Sequence, residues 1–277
     1  MMIEKSLGIA CEAADAARSV ILKGYGTMHD VDVKPDRSIV TAFDRAAEQV
    51  ILDVLKVRTD HSILSEESGW KDTGSDYRWV VDPIDGTTNY SRGNPVFAVS
   101  IALLHGDEPV AGVIDLPVQK KRYAAQREGG AFLNGSRIHV SKPSRVSKSI
   151  LCIEFGRAPE DGQRMAEVVR RLSPAYSLRL MGSTAFEMTW VACGRADAFI
   201  SCGDKLWDYA AGLLIIREAG GRILDWRGRD WRNRSSFVLA SNGHADRNLL
   251  PLLSDLQPED PPHSGTEPRA GNPVQSP

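Results

Sequence analysis

Apolar residues recur at helical spacing in two segments near the start of the chain. The first segment, residues 3–21, is followed by Gly24 and predicts an amphipathic helix with a glycine stop. The second segment covers residues 47–55, and before it Thr41 precedes Asp44 by three residues, as in a capping box. We therefore expect two N-terminal helices, with Asp44 in the first turn of the second.

Short runs of β-branched and apolar residues follow, and each is bounded by Gly, Pro or Asp, as is typical of strands. The runs cover residues 61–65, 78–81, 97–104 and 110–116. The pair Asn134-Gly135 then separates two more runs and suits a hairpin turn, because both residues tolerate positive φ. The middle of the chain should form an antiparallel sheet, with Glu66 and Asp82 at the carboxyl ends of strands.

The second half of the chain alternates between helical and strand patterns. Helices are expected near 161–172, 184–193 and 207–219, and strands near 177–181 and 196–201. The change of pattern near residue 150 predicts two subdomains that share a cleft, 1–150 and 151–255. Residues 256–277 should form a disordered tail, since the chain from Gln257 onward holds six of the fifteen prolines and almost no apolar residue.

Charge and composition exclude several classes of partner. The chain has 277 residues with 34 Lys and Arg against 36 Asp and Glu, which gives no overall bias toward nucleic acid or acidic membranes. Four cysteines without a Cys-x-x-Cys pair are typical of reduced, buried thiols. The N-terminus lacks the apolar core of a signal peptide. We therefore expect a cytoplasmic protein with no membrane partner, and the charge does not favour a nucleic acid as partner.

The most distinctive segment is an acidic turn that directly follows an apolar strand, Asp82-Pro83-Ile84-Asp85-Gly86-Thr87-Thr88. Its proline fixes one φ angle and its glycine frees another, so the turn can aim two carboxylates and the Ile84 carbonyl at one point. Oxygen ligands in a tight turn suit a hard cation such as Mg²⁺. An ordinary Asp-Pro turn that caps the next helix is the competing interpretation.

Further acids occur at comparable places in the predicted elements. Glu66 and Glu67 follow a predicted strand, and Asp208 stands alone at the start of an otherwise apolar helix. Taken singly, Asp208 could be a helix N-terminal acid that satisfies free N–H groups. Together with the acidic turn, these residues favour a shared metal site.

These segments resemble the inositol monophosphatase-like, lithium-sensitive phosphatases over roughly residues 1–255. The matching blocks, in chain order, are Val40 to Asp44, Ser65 to Ser68, Asp82 to Thr88, Gly182 to Ala185 and Trp207 to Gly212. The resemblance implies an α/β (α+β layered) fold, an αβαβα sandwich of the sugar-phosphatase type. It also implies a Mg²⁺-dependent phosphoric monoester hydrolase, with a homodimer by family analogy.

The same resemblance implies roles for individual residues. Two to three Mg²⁺ ions would be held by Glu66, Asp82, the Ile84 carbonyl, Asp85 and Asp208. Asp44 and Thr87 would orient the attacking water or help to deprotonate it. The substrate would contact Gly86, Thr87, Thr88, Gly182, Ser183, Thr184, Ser201 and Asp208.

One position departs from the inositol-selective pattern. Those members commonly have an acid seven residues before the last metal aspartate, where this chain has Ser201. Asp204 could substitute for that acid, and Thr184 replaces a smaller residue. Inositol-1-phosphate is the expected substrate, and fructose 1,6-bisphosphate, histidinol phosphate and 3′-phosphoadenosine 5′-phosphate are the alternatives.

A second class of function rests on a segment rich in arginine and tryptophan, residues 222–234. Five arginines there interleave with Trp226 and Trp231, as in a local patch that binds RNA. An RNA-binding regulatory protein is therefore the alternative of another class. We favour a solvated strand edge with partly buried tryptophans, because the overall charge gives RNA binding no support.

Overall fold

The computed structural model describes residues 2–27, 30–35, 38–142, 148–156, 158–231 and 237–256. Helices within these ranges are α1 Met2–Gly24, α2 Ala42–Arg58, α3 Thr87–Ser91, α4 Pro159–Leu172, α5 Thr184–Ala192, α6 Leu206–Glu218 and α7 Asp246–Leu253. The strands of the N-terminal half are β1 Val31–Val33, β2 Ile39–Thr41, β3 Ser62–Ser65, β4 Gly69–Lys71, β5 Tyr77–Asp85, β6 Ala98–His105, β7 Glu108–Leu116, β8 Lys121–Gln126, β9 Gly130–Leu133 and β10 Ser136–Arg137. Those of the C-terminal half are β11 Ile150–Glu154, β12 Ser177–Arg179, β13 Ala198–Cys202, β14 Arg222–Leu224 and β15 Phe237–Ser241.

Two large sheets organise these strands. The first has eight strands in the order β10-β9-β8-β7-β6-β5-β3-β4, and the second has five in the order β12-β11-β13-β15-β14. The first sheet is antiparallel, as predicted, except that β3 runs parallel to β5. In that parallel pair Ser65 lies opposite Val81, so Glu66 and Asp82 come next to each other at the carboxyl end of β3.

The helices and sheets stack in five layers. Helices α1 and α2 pack on one face of the eight-stranded sheet, while α5 and α6 lie on its other face and separate it from the five-stranded sheet. Helices α4 and α7 cover the remaining face of the five-stranded sheet. Helix α6 is buried almost all round from Tyr209 to Ile216, as expected of a helix between two sheets. This arrangement confirms the αβαβα sandwich.

Local sequence signals account for several boundaries. Helix α2 begins after Thr41, whose hydroxyl accepts from the Asp44 amide while the Asp44 carboxylate accepts from the Thr41 amide. Asn134 and Gly135 have φ angles of 48° and 80° and join β9 to β10 as a two-residue hairpin. The predicted capping box and hairpin turn are therefore confirmed. Helix α1 is also confirmed, and it ends at Gly24.

Two boundaries differ from the sequence expectation. The predicted strand after the hairpin ends at Arg137. Ile138 N still donates to Ala131 O of β9, but Val140 N donates to Ala219 O, just after α6. Strand β5 does not end before Asp82 but continues to Asp85, with a shift of register between these two residues.

Other expectations are not decided by the described residues. The division into two subdomains near residue 150 stays a prediction, and one apolar core joins residues of both sheets around α5 and α6. The predicted tail lies outside the described residues from 257 onward, and Leu256 closes a short 3₁₀ helix, Ser254–Leu256. No described helix is both long and apolar enough to cross a membrane.

Candidate active site

The acidic turn at the end of β5 is shaped by one hydrogen bond from a backbone amide to a carboxylate and by one glycine. The Ile84 amide donates to Asp82 Oδ1 at 3.0 Å, which folds the turn back on its first acid. Gly86 then adopts a φ of +94°. A Cβ atom there would lie 3.0 Å from Ser183 Cβ and 3.1 Å from Val96 O, so both conformation and space favour glycine.

Three predicted metal-binding acids converge at this turn. Asp82, Asp85 and Asp208 each offer a carboxylate oxygen, and these oxygens lie within 4.8 Å of one another. Asp208 comes from α6, more than a hundred residues along the chain, so the sandwich is needed to bring it to β5. An all-oxygen donor set of this kind could hold a hard divalent cation.

Hydrogen bonds at two helix N-termini hold two of the acids in place. Asp85 accepts from Ser183 Oγ at 2.5 Å and from Ala185 N at 2.7 Å, at the N-terminus of α5. Asp208 accepts from Lys205 N at 2.7 Å, at the N-terminus of α6. Helix N-termini stabilise negative charge. The N-termini of α5 and α6, both in the middle helical layer, therefore stabilise the carboxylates of the cluster.

The cluster is short of positive charge. Burial raises the pKa of Asp82 well above its usual value, and the nearby charges of Glu66, Asp85 and Asp208 raise it further. The pKa of Asp208 is raised in the same way, by burial and then by Asp204 and Asp85. Burial raises the pKa of Asp85 to about 7, although the bonds from Ser183 and Ala185 oppose the shift. A bound cation would relieve this repulsion, so the residues present fit a divalent metal.

A cavity of about 280 Å³ opens above the cluster. Its described lining contains six carboxylates and neither lysine nor arginine. Most residues that the sequence pointed to line it: Glu66, Asp82, Ile84, Asp85, Gly86, Thr87, Thr88, Gly182, Ser183, Thr184 and Asp208. Two do not, because Asp44 lies behind Thr87 and Ser201 lies behind Asp204.

Asp44 and Thr87 form a hydrogen-bonded pair beside the cluster. Thr87 Oγ1 lies 2.9 Å from Asp44 Oδ1 and 3.0 Å from Ile84 O, and it can donate to either oxygen. The other carboxylate oxygen of Asp44 accepts from the Thr41 amide at 2.8 Å and from its hydroxyl at 2.5 Å. Burial raises the pKa of Asp44. The pair can therefore pass a proton between the Thr87 hydroxyl and a buried carboxylate.

Glu66 has a lysine partner. Lys34, in the turn after β1, donates from Nζ to Glu66 Oε1 at 2.9 Å and to Glu67 Oε1 at 2.6 Å. Glu66 also faces the cavity that holds Asp82 and Asp85. The Glu66 carboxylate thus lies between an ammonium group on one side and the acidic cluster on the other.

The comparisons with known proteins agree with this geometry. Residues 2–257 match the family model described as the inositol monophosphatase family. The chain belongs to this family. Membership makes it a phosphatase and therefore a hydrolase of phosphate esters.

Related proteins carry two kinds of name. The phosphatase is 36% identical to Nus factor SuhB of Pasteurella multocida over 258 residues, which cover 91% of this chain and 96% of that protein. It is also 36% identical to inositol monophosphatase 1 of Solanum lycopersicum over 261 residues, with coverage of 91% and 95%. Among solved structures, extragenic suppressor protein SuhB from Bartonella henselae superposes with a TM-score of 0.85 at 34% identity, covering 90% of this chain and 98% of that one.

On one wall of the cavity of the phosphatase, three residues are linked. Thr184 Oγ1 donates to Asp204 Oδ2 at 2.9 Å, and Ser201 Oγ donates to the same oxygen. Ser201 is fully buried, whereas Asp204 and Thr184 line the cavity. The carboxylate on this wall is therefore that of Asp204, at a position three residues after Ser201.

Sequence reasoning missed several residues near the cavity, among them Ser38 and Ile39 in its lining. Glu154 and Phe155, at the end of β11, line the cavity, and no local motif marks them. Glu48 lies behind Glu66, and its Oε1 accepts from Ser65 Oγ and from the amides of Glu67 and Ser68. A signal for Glu48 did exist, since an acid four residues after Asp44 shares the buried face of the same helix.

The segment rich in arginine and tryptophan is only partly described, because residues 232–236 fall outside the described ranges. Its two tryptophans are buried, and Trp226 stacks on Phe237 with ring centroids 3.6 Å apart. Buried rings are not available to stack on bases, so the described part of this segment lacks the aromatic platform that RNA binding requires.

The metal-free phosphatase should lose stability as pH rises because of Asp85. Folding raises the pKa of this carboxyl from 3.8 to about 7. Between these values the folded state binds more protons than the unfolded state, so this group makes the free energy of unfolding fall as pH increases. In EDTA, the free energy of unfolding of Asp85→Asn should rise relative to wild type by at least ~1 kcal/mol from pH 5 to pH 7.

Urea denaturation of both proteins across this pH range measures the difference. Adding Mg²⁺ at pH 7 should stabilise wild type more than the variant, because the ligand binds the folded state. A difference that does not change with pH would contradict the proposed repulsion.

Proposed function

We propose that this phosphatase hydrolyses a small phosphate monoester, most specifically inositol-1-phosphate, with the help of two to three Mg²⁺ ions. The metal would be held by Glu66, Asp82, the Ile84 carbonyl, Asp85 and Asp208. The convergence of three carboxylate oxygens within 4.8 Å is the observation that carries this proposal. The names of relatives such as the tomato inositol monophosphatase support the choice of substrate.

Bound Mg²⁺ would supply the positive charge that a phosphate dianion and a departing alkoxide require. The protein's own contribution is to bind and orient. The turn after Gly86 presents the start of α3, and Gly86 has no side chain to cap its amides. We assign the phosphate to the amides of Gly86, Thr87 and Thr88, since free amides at a helix start favour anions.

Thr87 and Asp44 would handle the proton of the attacking water. The Thr87 hydroxyl can accept a hydrogen bond from water while it donates to Asp44 Oδ1 at 2.9 Å. Burial raises the pKa of Asp44, which makes its carboxylate a better proton acceptor. No protein nucleophile is required, and Thr87 acts as a positioning and proton-relay group.

The leaving group would face the wall formed by Gly182, Ser183, Thr184 and Asp204. A carboxylate that accepts hydrogen bonds from substrate hydroxyls discriminates strongly against compounds that lack them. Asp204 could accept hydrogen bonds from inositol hydroxyls in place of an acid at position 201. The hydroxyls of Ser201 and Thr184 donate to its carboxylate and orient it. The dimer and the cytoplasmic location expected from the sequence also stay proposals, the dimer by family analogy.

Replacing Asp85 by Asn tests the metal site. Phosphate release should require Mg²⁺ in wild type and fall at least ~100-fold in Asp85→Asn, because a charged ligand is lost while side-chain size is kept. The assay is phosphate release from inositol-1-phosphate against Mg²⁺ concentration. Asp246→Asn is the matched control, since Asp246 is equally buried but bonds to Arg222 and Ser241 away from the cavity.

The same variant separates the two classes of function. Relatives named Nus factor SuhB support a regulatory role as the second candidate, and the form of it considered from the sequence is RNA binding. Such a role predicts RNA binding that weakens with salt and survives the loss of Asp85. Activity without Mg²⁺, or a fully active Asp85→Asn protein, would overturn the phosphatase mechanism proposed here.

Substitution of Thr87 tests the proton relay. Thr87→Ala should lower kcat about 100-fold at saturating Mg²⁺, the usual scale of a lost general acid–base contact. Thr87→Ser keeps the hydroxyl and should recover most of that loss. Steady-state kinetics at several pH values provide the measurement, and equal activities of the alanine and serine variants would refute a role for the hydroxyl.

A substrate panel tests the finer assignment. Inositol-1-phosphate should show the highest kcat/KM with Mg²⁺ among inositol-1-phosphate, fructose 1,6-bisphosphate, histidinol phosphate and 3′-phosphoadenosine 5′-phosphate. Li⁺ should inhibit the reaction, as the family resemblance implies. A higher kcat/KM for one of the other three compounds would reassign the substrate and leave the metal chemistry in place.

A further inference from the structure

Glu48 is a buried acid that the proposed chemistry does not use. It lies on α2, one helical turn after Asp44, and is 6% exposed. It is absent from the described lining of the active-site cavity, so it does not touch a substrate there. Its carboxylate points instead toward the segment that joins β3 to β4.

One oxygen of Glu48 receives three donors from that segment. Ser65 Oγ donates to Glu48 Oε1, and the amides of Glu67 and Ser68 donate to the same atom at 3.1 Å each. These donors stand on both sides of Glu66 in the chain. Hydrogen bonds to a carboxylate are stronger than those to a neutral acceptor, so Glu48 fixes the position of the Ser65 to Ser68 turn.

A further bond fixes Glu66 from the other side. Its amide donates to Val81 O at 3.1 Å, which extends the parallel pairing of β3 with β5 by one residue. The backbone around Glu66 is thus tied to α2 and to the strand that carries Asp82. The Glu66 side chain is left to face the cavity shared with Asp82.

We propose that Glu48 is a positioning residue whose carboxylate holds the Ser65 to Ser68 turn so that Glu66 can bind the divalent cation. The inference rests on the proposed function, because it requires Glu66 to be a metal ligand. Helix α2 then sets two parts of the site at once, Thr87 through Asp44 and Glu66 through Glu48. Partners of this kind, which orient a ligand without touching the metal, commonly affect metal affinity by about 10- to 100-fold.

The test replaces Glu48 by Gln, which keeps the size but removes the charge that attracts three donors. The dissociation constant for Mg²⁺, measured by calorimetry on the full chain without substrate, should rise about 10-fold or more. At saturating Mg²⁺, kcat should return to within about 3-fold of wild type, since the reacting groups are intact. This split between metal affinity and kcat is not expected from general loss of stability.

A matched control is Asp197→Asn. Asp197 is also a buried acid that accepts from an amide and a hydroxyl, Ile150 N at 3.0 Å and Ser141 Oγ at 2.7 Å, but it lies in the bend just before β13 and does not line the active-site cavity. The Asp197→Asn substitution should lower the midpoint of thermal unfolding and leave the Mg²⁺ dissociation constant unchanged. If Glu48→Gln does not fold, Ser65→Ala removes one of the three donors and should still weaken Mg²⁺ binding.

A double mutant shows whether Glu48 acts through Glu66. Once Glu66→Gln has removed the ligand, adding Glu48→Gln should cause no further loss of Mg²⁺ affinity. Additive losses, or an unchanged Mg²⁺ dissociation constant in both Glu48→Gln and Ser65→Ala, would overturn the positioning role while wild type still hydrolyses substrate with Mg²⁺. A wild-type protein without Mg²⁺-dependent hydrolysis would overturn the proposed function itself.

Discussion

Repulsion among buried carboxylates is the constraint on which this site depends. Asp82, Asp85 and Asp208 bring oxygens within 4.8 Å of one another, and burial raises the pKa of each. Charges at this distance inside a protein interact far more strongly than in water. The amides of Ile84, Ala185 and Lys205 hold the three acids in their orientations, and the remaining demand for positive charge suits a divalent cation.

The layered fold explains how two helix N-termini reach the cluster. Helices α5 and α6 lie between the two sheets and begin at the cavity, so their N-termini meet the end of β5. Helix α2 approaches from the opposite face of the eight-stranded sheet and brings Asp44 and Glu48. The site therefore draws on these three layers, and the five-stranded sheet adds Glu154 to the cavity lining. Loss of packing between the layers would separate the acids.

Both halves of the chain contribute to the cavity, and Asp208 of the C-terminal half joins the acidic cluster. Strand β5 and the turn after β3 bring the acids of the N-terminal half, whereas Thr184, Ser201 and Asp204 come from the C-terminal half. Ser201 gives its hydroxyl to Asp204 and does not reach the cavity. Under the proposed function, changes on this wall would alter the leaving group that is recognised and leave the proposed metal ligands in place.

The sequence by itself determined features that depend on neighbours in the chain. The capping box of Thr41 and Asp44, the Asn134-Gly135 hairpin and the acidic turn at Asp82 all involve residues at most a few positions apart. Their backbone preferences act before any distant contact forms. Resemblance to the family added the set of candidate metal-binding residues to what the sequence could predict.

Only the tertiary structure decided which distant groups meet. Asp85 accepts from the amide of Ala185, a hundred residues away in the chain. Glu48 accepts from the amides of Glu67 and Ser68, about twenty residues further on. The extension of β5 to Asp85 and the direction of Ser201 toward Asp204 likewise follow from packing between layers. Such contacts depend on how the sheets and helices stack, and no local spacing encodes that arrangement.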